Sequence, residues 1–158
     1  MSATVEYCLN KASTAEIAKH LSRCDADFVP PLSNRVEIDD YAMKIASKAI
    51  RFEAWLSGTL VGLAAAYCND QEKRIAYITS VSVLKECAGK GIAARLMKQC
   101  IEHAKVLGMQ QISLEVASNN KPAISLYEKN GFVTGTMNAP FASMNLYLKS
   151  GEEHDQQT

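Results

Sequence analysis

Three observations predict an α/β fold on a mixed, mostly antiparallel sheet for this 158-residue chain. Between residues 50 and 83, three apolar segments follow one another across short polar turns, the pattern of an antiparallel meander. Val81-Ser82-Val83 then runs through a short connection into Gly89-Lys90-Gly91, where a helical apolar stripe begins. Beyond that junction strand and helix patterns alternate, so the meander passes into strand–helix–strand crossovers. The expected order is β-α-α-β-β-β-α-β-α-β-β.

Taken in order, Val5-Glu6-Tyr7-Cys8-Leu9 alternates and reads as a first strand. Ser13 or Thr14 ahead of Glu16 starts a helix, with Ile17 and Leu21 one turn apart. Phe28-Val29-Pro30-Pro31-Leu32 cannot continue it, because proline lacks a backbone donor and restricts its predecessor. Asp39 and Asp40 suit the cap and first turn of a second helix, running to about Ser47.

Residues 50–56 and 59–67 flank Ser57-Gly58 as a hairpin, and residues 74–83 give the third long strand of the meander. The helix over 89–107 places Ile92, Leu96, Cys100, Ala104 and Leu107 on a buried stripe, joined by Met97 and Ile101, and Gly108 ends it. Residues 111–117 form the next strand. Asn119 or Asn120 caps a helix with Pro122 in its first turn, which Gly131 closes. Residues 132–137 and 144–148 pair around Asn138-Ala139-Pro140. One domain is expected over 1–149, with a polar, disordered tail over 150–158.

Composition narrows the function classes. Seventeen basic and seventeen acidic residues cancel, which leaves no general field for nucleic acid or an anionic membrane. Cys8, Cys24, Cys68, Cys87 and Cys100 are odd in number and scattered, without a C-x-x-C pair; that argues against a disulfide framework or a thiolate metal site. No signal pattern or membrane-length apolar run is found. The expected site of action is the cytoplasm, with no metal. A homodimer suits a domain of this size, although no residue argues for one.

Chemistry concentrates at the glycine loop. A helix N-terminus leaves backbone N–H groups without internal partners and adds partial positive charge, so it suits a phosphate. A Walker loop is excluded, because its required first glycine and its Ser or Thr fall on Leu84 and Gly91. A dinucleotide fingerprint fits Gly89-Lys90-Gly91-Ile92-Ala93-Ala94 literally, but it belongs directly after a first strand, and here it follows a meander.

Val81-Ser82-Val83, the connection, Gly89-Lys90-Gly91-Ile92 and the helix together resemble the acyl-CoA-binding core of the GNAT superfamily of N-acyltransferases. Asn120-x-x-Ala123-x-x-Leu126-Tyr127-Glu128-Lys129-x-Gly131-Phe132 resembles that superfamily's second motif. The resemblance covers roughly residues 50–148. Glu86 departs from it, standing where members carry Gln or Arg.

The resemblance implies a GNAT fold whose fourth and fifth strands splay apart around the pantetheine arm of acetyl-CoA. It implies cofactor contacts at Val81, Ser82 and Val83, a pyrophosphate on Ala88, Gly89, Lys90, Gly91, Ile92 and Ala93, and a role for Asn120 at the pantetheine. It also implies transfer of the acetyl group to a primary amine of a small molecule by direct attack in a ternary complex, with Tyr127 protonating the leaving thiolate. Alternatives are a non-catalytic acyl-CoA-binding or regulatory module, and acetylation of a protein or peptide amine.

No carboxylate lies on Thr79-Ser80-Val81-Ser82, so Glu53 on the second strand is the candidate base. His20 and His103 read as surface histidines. The acceptor pocket is expected from the region between the first two strands, with Phe28, Pro31, Tyr41 and Tyr67 in its walls. Asp25, Asp27, Glu37, Asp39 and Asp40 give that region negative charge, which would attract a cationic amine.

Overall fold

Residues 4–148 are described by the computed structural model, and the tail over 150–158 lies outside them. Strands β1 (Glu6–Leu9), β2 (Ile50–Leu56), β3 (Thr59–Tyr67), β4 (Ile75–Val83), β5 (Gln111–Ala117), β6 (Val133–Asn138) and β7 (Phe141–Tyr147) form one sheet in the order β1-β2-β3-β4-β5-β7-β6. Helices α1 (Thr14–Cys24), α2 (Ile38–Lys48), α3 (Ile92–Val106) and α4 (Lys121–Lys129) complete the expected order. Neighbouring strands are antiparallel except β4 and β5, which α3 joins as a parallel pair.

Local signals place most boundaries. Ser13 caps α1 in a full capping box with Glu16. Ser57 and Gly58 both take positive φ, the conformation that a two-residue hairpin turn demands. The second helix starts differently from the expectation: Glu37, not Asp39 or Asp40, caps α2, its carboxylate accepting from the N–H groups of Asp39 and Asp40. The third helix starts at Ile92, because Gly89 and Gly91 sit at φ +81° and +78°, outside helical space.

The sheet separates two apolar clusters. Ile17, Leu21, Ala42 and Ile45 of α1 and α2 pack on Trp55, Leu60 and Leu63 on one face. Leu96, Met97 and Cys100 of α3 pack with Ala64, Ile112 and Leu114 on the other. Gly62 of β3 is what lets α3 settle so close, since a Cβ there would stand 2.8 Å from Ile92 Cγ2. The start of α3 is thereby seated on the middle of the sheet.

The same sheet opens where the site lies. β4 and β5 pair only at Ile75–Gln111, Ala76–Ile112 and Tyr77–Ser113, yet continue to Val83 and Ala117. Opposite, Ala65 faces Ser80 and Ala66 faces Ile78, so Thr79 is an inserted residue that bends β4. Tyr41 of α2 holds the bulge: its hydroxyl donates to the Thr79 carbonyl at 2.7 Å and accepts from Thr79 Oγ1 at 2.6 Å. The splay expected of the fourth and fifth strands is therefore a consequence of a bulge on one strand and a ladder that ends early.

Candidate active site

A cavity of about 140 Å³ occupies the gap, walled by residues 78–81 of β4 and 114–117 of β5. Asn120, the cap of α4, and Ala123 and Tyr127 of α4 line it too, as do Asp27, Phe28, Arg35, Glu115 and Phe141. A second cavity of about 180 Å³ shares Asp27, Phe28 and Val81 with it and extends along Ser82 and Val83 to Cys24. A larger groove of about 910 Å³ between β1 and α3 has no lining residue in common with either.

Beyond the far end of β4 the chain leaves a helix N-terminus open. Gly91 is the N-cap of α3 and offers no side chain to it, so the N–H groups of Ile92, Ala93 and Ala94 remain unpartnered in the helix. Ala88, Gly89 and Lys90 are exposed beside them. The two glycines have nothing within 4 Å of a would-be Cβ, so it is their left-handed backbone, and not crowding within the chain, that requires them. Glu86 is turned away from the loop and ion-paired with Arg23 at the end of α1.

Behind Ser82 stands a buried imidazole. His20 is 2% exposed, in contrast to the surface position expected for it. Its Nδ1 lies 2.9 Å from the Leu60 carbonyl, which can only accept, so the ring proton is there. Nε2 is then the acceptor, and Ser82 Oγ donates to it at 2.8 Å. Burial, the largest cause, keeps the imidazole below its ordinary pKa and hence neutral. Ser82, expected as a cofactor contact, thus turns its hydroxyl to α1 and leaves its backbone to the groove.

Tyr127 is 8% exposed and lines the cavity beneath Phe132. Burial pushes its phenol up to about 12, so it carries its proton at neutral pH. Asn120 caps α4, accepting from Ala123 N at 3.3 Å, while lining the same cavity.

Glu53 is elsewhere. Its carboxylate is fully buried and accepts from the N–H groups of Lys11 and Ala12, Trp55 Nε1 at 3.0 Å and Arg51 Nε at 3.3 Å. Every lone pair is engaged in joining the start of α1 to β2, and it lines neither cavity. The geometry gives Glu53 a structural role and removes it as base.

Among the expected acceptor residues, Phe28 lines both cavities, while Pro31, Tyr41 and Tyr67 line neither. Tyr41 is a strut for the bulge. Tyr67 has its hydroxyl buried without a hydrogen-bond partner among the described residues, and so does Ser80. Two of the five acids read from the sequence are engaged: Asp25 accepts from Ser33 N and Oγ at 2.7 Å each, and Glu37 caps α2. Of the five acids counted there, Asp27 alone reaches the cavities. Sequence reasoning missed Arg35, Ser80, Glu115 and Phe141, which come together only through the fold.

Among the described residues no helix is long and apolar enough to cross a membrane, and no cluster of three His, Cys, Asp or Glu side chains could hold a metal.

The sequence matches the acetyltransferase (GNAT) family over residues 14–132. The chain belongs to the GNAT family. Within it, N-alpha-acetyltransferase MAK3 of Arabidopsis thaliana is 31% identical over 83 residues, 52% of this chain and 44% of that one. The chain spans less than half the length of the curated relatives it matches. A Bacillus anthracis structure named for streptothricin acetylation, solved in complex with acetyl coenzyme A, is 28% identical over 65% of this chain and 64% of that one, with a TM-score of 0.56. The ribosomal-protein-S18-alanine N-acetyltransferase of Escherichia coli shares the fold across 95% of this GNAT chain and 97% of its own, with a TM-score of 0.72 at 19% identity.

Proposed function

We propose that the chain is an acetyl-CoA-dependent N-acetyltransferase acting on a primary amine of a small molecule, by direct attack within a ternary complex. The observation that carries this reading is the β4–β5 ladder ending at Tyr77 and Ser113, with the uncapped start of α3 at the head of the gap. The residues fit acetyl-CoA: free N–H groups for a pyrophosphate, an open strand edge at Val81 and Val83 for an amide-bearing arm, and a cavity lined by Tyr127. Bound there, acetyl-CoA supplies an acyl group already activated as a thioester.

The chain's own groups supply position and protons. A main-chain N–H near Val81 would stabilise the negative charge that develops on the thioester carbonyl. As the amine N–C bond forms and the C–S bond breaks, Tyr127 gives its proton to the sulfur and regains one from solvent. Asp27, lining both cavities, takes the proton leaving the ammonium. No covalent enzyme intermediate is required, because binding supplies proximity.

The test is a thermal-shift titration with acetyl-CoA, CoA and NAD(P), followed by thiol release over an amine panel. Stabilisation by the CoA forms with release on an amine supports the reading. Stabilisation without release on any amine makes the chain a non-catalytic binding module, and a response to NAD(P) alone removes the CoA site. A second reading, a protein or peptide amine as acceptor, draws on the likeness to an N-alpha-acetyltransferase. Peptides in the same panel separate the two. Free cysteines at all five positions support a reducing, cytoplasmic setting.

A further inference from the structure

The loop between α1 and α2 carries four charges that the fold brings near the cavity, and two of them have internal partners. Asp25 is held by Ser33, and Glu37 by the first turn of α2. Asp27 and Arg35 are left. Both are exposed residues that line the cavity, and among the described residues no side-chain hydrogen bond or ion pair engages either.

Arg35 is nevertheless not loose. Its guanidinium lies 4.7 Å from the centroid of the Phe141 ring on β7, which brings the loop across the gap and holds the planar fork at its mouth. With no side-chain hydrogen bond or ion pair among the described residues, its N–H donors are free for a carboxylate, which a guanidinium fork binds by two parallel hydrogen bonds. Deeper in the same cavity, Ser80 is 5% exposed and its hydroxyl is buried without a partner. A buried polar atom left unpaired is costly unless a ligand satisfies it. Arg35, two carboxylates (Asp27 and, on β5, Glu115) and a hydroxyl without a partner thus line one small space.

Resting on the transferase reading above, we infer that the acceptor is a small free amino acid, its carboxylate on Arg35 and its amino group between Asp27 and the Ser80 hydroxyl. Arg35 set against Asp27 and Glu115 offers opposite charges to the two ends of a zwitterion. A simple amine gives Arg35 nothing to bind. A peptide N-terminus puts a neutral amide where the carboxylate would be, and faces the same unpaired guanidinium.

Calorimetric titration of the full chain saturated with CoA tests this without turnover. The probes are the small L-amino acids, the amide and decarboxylated amine of each, and tripeptide amides with the same first residue. The expected result is that at least one amino acid binds about tenfold or more tighter than its own amide and amine. Arg35→Gln erases that difference and leaves CoA affinity unchanged. An amide or peptide bound as tightly as the amino acid, or no amino acid bound at all, overturns the inference. Thiol release with acetyl-CoA is read separately. Carboxylate-dependent binding without release keeps this inference and sinks the transferase reading; release on amines or peptides without a carboxylate preference does the reverse.

Discussion

Ser82 on β4 donates a hydrogen bond of 2.8 Å to Nε2 of His20 on α1, and so ties the wall of the cofactor groove to a buried imidazole held neutral by its surroundings. The other nitrogen of the ring is committed to the Leu60 carbonyl, so the pair has one proton arrangement. Protonating His20 would bury a charge and make Nε2 a donor, so that Ser82 Oγ would have to turn and accept.

Stability should therefore depend on acid through His20. Its folded pKa lies below the ordinary 6.5, with burial the largest cause, so the unfolded chain takes up this proton first. The contribution is complete above pH 6.5 and is lost as pH falls from there through the folded value. His20→Gln keeps a donor for Leu60 and removes the titration. Thermal unfolding of this variant should fall less steeply with acid than that of the wild type, and parallel curves would exclude the effect.

Gly91→Val should cost about 1–2 kcal/mol in the free protein, because its φ of +78° strains a branched side chain. It also stands at the N–H groups proposed for the pyrophosphate. The stabilisation produced by acetyl-CoA should vanish in the variant, measured as the ligand-induced shift and not the midpoint alone. An intact shift would remove the phosphate assignment of the loop.

Tyr127→Phe should lower kcat by roughly 10²–10⁴ while leaving the KM for acetyl-CoA nearly unchanged. With its pKa at about 12, the phenol stays protonated through neutral and mildly alkaline solution. The alkaline limb of the wild-type rate profile should therefore be flat on its account. Unchanged turnover in the variant would reduce Tyr127 to packing under Phe132.

Glu53→Gln separates structure from chemistry. Breaking a buried pair commonly costs about 3–5 kcal/mol, and here Arg51 would be left 8% exposed without its carboxylate. Denaturant unfolding should record that loss, while turnover per folded molecule holds. A fall in turnover with stability intact would return Glu53 to the acid–base candidates.

Gly62→Val should destabilise by about 1–3 kcal/mol, since its new side chain would drive Ile92 and Leu96 from the sheet. Because Ile92 follows the glycine loop directly, acetyl-CoA affinity should fall as well. A fully stable variant would mean that α3 shifts without strain.

Much of this was legible before the fold was known, and for local reasons. Ser13 and Glu16 carry the start of α1, Ser57-Gly58 the hairpin, and Asn120 with Pro122 the start of α4, because caps and turns are satisfied within a few residues. The glycine loop was legible for the same reason. Glu53 misled because one carboxylate on a strand reads alike whether it faces water, substrate or the N–H groups of residues some forty positions away. His20 misled because its polar neighbours in sequence say nothing of Leu60 and Ser82, its partners some forty and sixty positions away. Glu37 displaced Asp39 and Asp40 as cap through the reach of its longer side chain.

By itself, the sequence determined the element order, the loop at the head of α3 and the family, all of them written in periodicity and in residues adjacent along the chain. Only the tertiary structure decided which charges are engaged and which are free. Asp25 and Asp27 differ in one thing that no local pattern carries: Ser33 folds back onto the first, and nothing among the described residues onto the second. Arg35 reaches Phe141 across more than a hundred residues of chain because the bulge at Thr79 opens the sheet between them. The free energy of a charge depends on its three-dimensional surroundings, and those surroundings exist only once the strands have paired.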